Sequence, residues 1–527
     1  MSLRVGWNLG STAEDECQEV VMQDPPCWTA TSAVLKAGRG LSSWLFNNLS
    51  PPSSPLVSSF FCKDAFTPRQ ISNPSYLPQP AASHTSYPPP TPSFIGILPQ
   101  ELLEEIFCEY LHGATTSSPS PGNVLRGSLR RIVTCVGAKT TPFTLGHVCS
   151  RWRAITTSCP PLWSKLCAFG AEPSDIPLFE RWLSMSLHCP LDLTIAQRRG
   201  PDTGTVDTTT YQLLCIALQN SDRWQSVSLR LDQDLEPLFT TLVPLSRLRR
   251  FRLDLDNWTP EGYHAISQIL LSSPNIEAAA WGNACWIPRF GSCTMGTTLR
   301  SIKLGQVNTQ DLCALLALTP LLQSLVCDFV EVPYPNPPLS SPPSGPIDLL
   351  HLSSISLVHY DDPSPLFNSL HLPALSSLAL GAGLGSAAAG GAGWASLNAL
   401  VQRSDCCISS LSWSHDRLAE DALVHSFTQA STTVFLYLRH LNIGSPVSRK
   451  FIEALNTPIE TNPPIFPDLQ SLELRDCNVD YDILRVMLIS RLSLQKVDIK
   501  IRDDNGAVEW VSLGRSQGRS EIGPLRR

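Results

Sequence analysis

From Leu98 onward, apolar side chains recur every three or four positions. In LPQELLEEIFCEYL they are Leu98, Leu102, Leu103, Ile106, Phe107 and Tyr110. This spacing predicts a helix, and Pro99 followed by acids in the first turns suits its start. After a polar stretch at 112–142, TLGHVCSRWRAITTS carries a second helical stripe of Leu145, Val148, Cys149, Trp152 and Ile155. PPLWSKL, opening with Pro160 and Pro161, reads as a third short helix. Three helices of this size bury too little apolar surface to stand alone, so they are expected to pack on something else.

Beyond Trp163 the pattern becomes a repeat. The motif LxxLxL, with substitutions, begins at Trp224, Leu248, Ile276, Leu299, Leu322, Leu352, Leu375, Ile408, Leu438, Leu469 and Leu494. The shorter intervals match the leucine-rich repeat period of about 20–29 residues. The longer ones hold insertions, among them a Gly/Ala run at 381–393 that is expected to be a loop. Between the motifs, EGYHAISQILLSS, TQDLCALLALTP, AEDALVHSFTQAS, SRKFIEALN and DYDILRVMLIS have helical spacing. A strand followed by a helix, stacked repeatedly, predicts a curved solenoid with parallel strands inside and helices outside. An ordinary α/β domain shows the same alternation, but eleven spaced matches favour the solenoid.

Composition sharpens this outline. At 527 residues with 43% hydrophobic content the chain is long enough for several domains and a sizeable core. Eleven prolines between Pro51 and Pro92, mixed with Ser, Asn and Thr, predict a disordered region over residues 1–93. The last residues, 513–527, read as a tail. A net charge of −7 gives no global attraction for nucleic acid or an anionic membrane. Residues 363–402 carry no Asp, Glu, Lys or Arg, yet their glycines and few large apolar side chains argue against a membrane span. No apolar run near the N-terminus is long enough for a signal-peptide core. The 17 cysteines include no CxxC pair and read as reduced residues of an intracellular protein, in cytoplasm or nucleus. In the 112–142 insertion, Arg126, Arg130, Arg131 and Lys139 read as a solvated loop face.

The combination ILPQELLEEIF, VCSRWRAI and PPLWSKL resembles the F-box domain in its fungal form, over residues 94–168 with the insertion at 112–142. A degenerate leucine-rich repeat over residues 169–512 is a familiar companion of that domain. The resemblance implies docking on a Skp-type adaptor and, through it, on a cullin–RING ubiquitin ligase. It also implies that Leu98, Pro99, Leu102, Ile106, Phe107, Val148, Cys149 and Trp152 divide between the bundle core and the adaptor surface. The same helices and repeats also suit an interaction scaffold outside any ligase.

No catalytic constellation stands out: there is no GxxxxGK, HExxH or GxSxG motif, so neither an enzyme nor a cofactor or metal is expected. The alternate strand positions form the binding face of a solenoid. There Arg230, Arg250, Arg252, Lys303 and Arg475 are candidates for gripping an acidic or phosphorylated target, since guanidinium holds such anions bidentately. Solvated strand charge is the plainer alternative.

Overall fold

A computed structural model describes residues 97–112, 132–133, 141–197, 207–282, 298–331, 345–382, 390–414, 424, 427, 435–456, 465–502 and 508–514, less 244, 361, 362, 480 and 492. The expected disordered region, the basic insertion residues and the tail beyond Gly514 lie outside these. So does nearly all of the expected helix AEDALVHSFTQAS. The chain divides into two compact units, residues 1–114 and 115–527. The segment 94–168, expected as one bundle, is divided between them.

In the first unit, helix α1 runs from Gln100 to His112. Leu103, Phe107 and Leu111, four residues apart, are its buried stripe.

The second unit is mixed α/β and is built on one fifteen-stranded sheet whose strands follow chain order. It opens with β1 (Ile132–Val133), α2 (Pro142–Gly146), α3 (Ser150–Ser158), a 3-10 turn at Pro160–Trp163 and β2 (Lys165–Phe169). Next come α4 (Ile176–Met185), β3 (Leu191–Ala196), α5 (Thr208–Leu218), β4 (Trp224–Asp232), β5 (Arg250–Asp256), α6 (Pro260–Leu271) and β6 (Ala278–Trp281). The middle holds β7 (Ser301–Asn308), α7 (Thr309–Ala317), β8 (Ser324–Glu331), β9 (Ile347–Asp348), β10 (Ser354–Tyr360), α8 (Ser364–Ser369) and β11 (Leu370–His371). The last part holds β12 (Ser377–Ala382), α9 (Gly390–Ser404), β13 (Ser410–Trp413), β14 (His440–Ser448), α10 (Arg449–Leu455), β15 (Ser471–Asn478), α11 (Tyr481–Ser490), β16 (Lys496–Arg502) and β17 (Val508–Gly514). β9 and β11 pair with each other apart from the main sheet.

Neighbouring strands from β2 to β16 are all parallel, while β1 on β2 and β17 on β16 are antiparallel. Every one of the eleven motifs is a strand of this sheet, including the poor match IEAAAW at β6. The motifs align in register, so Ser301, Ser324, Ser354, Ser377 and Ser410 fall side by side. A parallel stack of this kind is compatible with a curved repeat solenoid.

Alternation along each strand separates two faces. The Leu positions are buried: Leu229, Leu253, Leu304, Leu357, Leu380, Leu411 and Leu474 are each at most 2% exposed. Each such side chain contributes about 1.5–3 kcal/mol on burial. Most intervening residues stay half-buried or exposed and form the open face.

Arginines join successive repeats on the helix side. Arg403 at the end of α9 donates to the carbonyls of Leu370 (Nε, 3.1 Å) and Phe367 (2.7 Å), where α8 ends. Arg491, just past α11, donates to Leu455 (Nε, 2.9 Å), Phe466 (2.7 Å) and Ile465 (2.6 Å). Arg223 reaches the Cys189 carbonyl (3.2 Å) and the Ser186 hydroxyl after α4. A helix leaves its last carbonyls without partners, and a planar guanidinium from the next repeat meets them.

Several local expectations are corrected. The third short helix is a 3-10 helix confined to Pro160–Trp163, and the rest of PPLWSKL departs from it, since Lys165 already belongs to β2. The second stripe is two helices, because the Cys149 backbone is extended (φ −158°, ψ 170°) and its Sγ accepts the Trp152 amide at 3.4 Å as an N-cap. Cys149 is therefore exposed, not a core thiol. Of the supposed Gly/Ala loop, Gly381 and Ala382 end β12, and Gly390 opens α9. Leu397, Leu400 and Val401, buried at helical spacing, outweigh the cost of the helix glycines.

Candidate functional site

The residues expected to meet an adaptor separate by burial. Phe107 is 0% exposed and Trp152 5%, so both serve internal packing. On α1, Leu102 and Ile106 are half-buried and leave a second apolar stripe beside the buried one; just before the helix, Leu98 is half-buried and Pro99 exposed. Val148 is 46% exposed, and Cys149 beside it is exposed as well.

The turn after α3 is anchored to α3 itself and to α2 and α4. The Trp163 indole N–H donates to the Thr156 carbonyl at 2.8 Å. Phe143, Trp163 and Trp182 form an edge-to-face trio with centroids 4.9, 5.2 and 5.8 Å apart. This packing fixes α2, α3 and α4 together while leaving Val148 and Cys149 outward.

The second candidate surface is the open face of the sheet. All five expected cations lie there: Arg230, Arg252 and Lys303 half-buried, Arg250 and Arg475 exposed. Four of them already hold a carboxylate. Arg250 stands 3.9 Å from Asp192, Arg252 3.2 Å from Asp254, Lys303 3.0 Å from Asp328 and Arg475 3.0 Å from Glu473. The fifth, Arg230, has its Nε buried without a hydrogen-bond partner. The strands bring Arg230, Arg250 and Arg252 together on β4 and β5, but Lys303 lies two strands further and Arg475 near the far end.

Burial pushes the Asp192 carboxyl above its ordinary value, against the pull of Arg250 and Lys165. Its Oδ1 has no hydrogen-bond partner. Sequence reasoning missed Asp192 and Asp328 as partners, because both pairs cross between strands. The within-strand pairs Arg252–Asp254 and Glu473–Arg475 carry a readable signal, since residues two apart on a strand share a face. Also unforeseen are the apolar side chains on this face, Val358 at 38% and Phe329 at 37% exposure.

Compared with models of known protein families and with curated protein sequences, the chain matches none.

The two surfaces remain defined by their own chemistry. The described cysteines are free thiols. Burial raises the Cys406 thiol to about 11 and the Cys327 thiol further, which makes both poor nucleophiles. Among the described residues no group of three or more His, Cys, Asp and Glu could hold a metal ion, and no helix is long and apolar enough to cross a membrane.

Proposed function

We propose that the chain is a substrate-recognition subunit of an SCF-type cullin–RING ubiquitin ligase. In this reading the F-box-like helices dock on a Skp-type adaptor, and the leucine-rich-repeat-like solenoid holds a protein target on its concave, open face. The observation that carries the reading is the apolar stripe of α1 that is not fully buried, together with the two residues before the helix. Leu98, Pro99, Leu102 and Ile106 stay wholly or partly exposed although Leu103, Phe107 and Leu111 fill the buried stripe. A short helix with apolar residues on two faces suits a partner on the second one.

The chain performs no bond chemistry of its own in this account. It raises the effective concentration of target lysines near a ubiquitin thioester made elsewhere, which is catalysis by proximity. Affinity purification of the full chain from its own cells, with the proteasome blocked, tests the reading. Adaptor and cullin co-purify with it together with ubiquitin-modified protein; recovery of other partners without the adaptor favours a scaffold outside any ligase.

A further inference from the structure

The charges of the open face fall in two blocks. At β3–β8, Arg250, Arg252 and Lys303 hold Asp192, Asp254 and Asp328. At β15 and β16, Arg475 holds Glu473 and Lys496 lies 3.0 Å from Asp498. Between the blocks, the open positions of β10, β12, β13 and β14 contain no Asp, Glu, Lys or Arg. Exposed apolar side chains mark the start of this neutral stretch. Val358 on β10 precedes His359, which is in register with Phe329 on β8, and half-buried Val326 lies on the same face as Val358.

We infer that the neutral stretch takes an extended segment of a protein target that carries no formal charge, with an apolar side chain seated against Val358. The inference rests on the reading of the chain as a target-binding subunit. A carboxylate or phosphate brought here would lose hydration without gaining a free cation from the flanking open-face strands, because Lys303 on β7 and Arg475 on β15 already hold carboxylates. Asp328 would also repel it. An uncharged segment escapes both costs and gains apolar contact at Val358 and Val326. From β8 to β14 the sheet makes four strand steps, about 19 Å, which about six extended residues span.

The test uses the full chain, panned against displayed random dodecapeptides. Enriched peptides share an uncharged run with at least one large apolar residue. Their affinity falls about tenfold or more on Val358→Glu, an exposed position, and by less than about twofold on Arg252→Ala. It also changes by less than about twofold between about 0.05 M and about 0.5 M NaCl. Enrichment of acidic peptides, loss of affinity with salt, insensitivity to Val358→Glu or no enrichment at all overturns the inference. Failure of the ligase reading shows separately, as absence of the adaptor from chains purified with or without Val358→Glu.

Discussion

Arg491 donates its Nε–H to the carbonyl of Leu455 at 2.9 Å, thirty-six positions earlier in the chain, where helix α10 ends. The same guanidinium serves the carbonyls of Ile465 and Phe466, so one side chain closes a helix terminus and the following loop. Burial lowers its pKa to about 10, which leaves it charged at neutral pH. Arg403 makes the equivalent link one part of the sheet earlier. These links tie two of the repeats to their predecessors through hydrogen bonds that lysine cannot reproduce in the same plane.

Arg491→Met therefore leaves several carbonyls without donors and lowers stability by about 3 kcal/mol. Arg491→Lys, which keeps the charge but not the fork, recovers only part of the loss. Urea unfolding of the two variants beside the parent chain measures both. Equal stability of all three would show that the carbonyls find other partners.

Asp192 gives a pH-dependent expectation. Its carboxyl is raised above the ordinary value of 3.8 by burial, so the folded state binds the proton more tightly than the unfolded state. The associated stability is fully present below pH 3.8 and is lost as pH rises through the higher folded value. Asp192→Asn, which mimics the protonated form, stabilises the chain at neutral pH. The gain shrinks toward zero as pH approaches 3.8. Unfolding midpoints across that range check the sign; a destabilised variant at pH 7 would mean that the Arg250 pair outweighs burial.

Much of this architecture is legible in the amino-acid pattern, for a definite reason. Leu253, Leu304 and Leu474 recur where a strand must turn a branched side chain inward, so every LxxLxL motif is a strand. β2 and β3 escape the pattern. In KLCAF three consecutive residues, Leu166, Cys167 and Ala168, are buried, which erases the alternation. LDLTIA alternates over its first five residues, but it follows Pro190 and lacks the leading leucine three residues upstream. Helix α9 is hidden by its opening glycines and revealed only by packing of Leu397 and Leu400. The open-face cations were readable, but Asp192 reaches Arg250 across β4 and Asp328 reaches Lys303 from the neighbouring strand, and strand register is a tertiary fact.

Gly381 is a position where only glycine fits. A Cβ there would come within 1.6 Å of the Val358 carbonyl oxygen, a backbone atom that cannot swing aside. Gly381→Ala forces β10 and β12 apart and lowers stability by about 2–3 kcal/mol. Thermal unfolding of the purified variant reports the loss, and an unchanged midpoint would mean that the two strands tolerate separation.

Burial divides the F-box-like residues into two kinds of variant. Phe107→Ala removes a fully buried ring and lowers stability by about 3–5 kcal/mol. Pro99→Asp changes an exposed residue and leaves the unfolding free energy within about 0.5 kcal/mol of the parent. Circular dichroism melts separate the two outcomes.

Titration of purified full chain with a Skp-type adaptor tests the central claim most directly, with Ile106→Asp on the half-buried stripe of α1 as the comparison. The parent chain forms a one-to-one complex, and Ile106→Asp weakens it by about 2 kcal/mol or more, roughly thirtyfold, while its melting curve keeps a folded transition. A parent chain that does not bind the adaptor, or a folded Ile106→Asp variant that binds it equally well, contradicts the account.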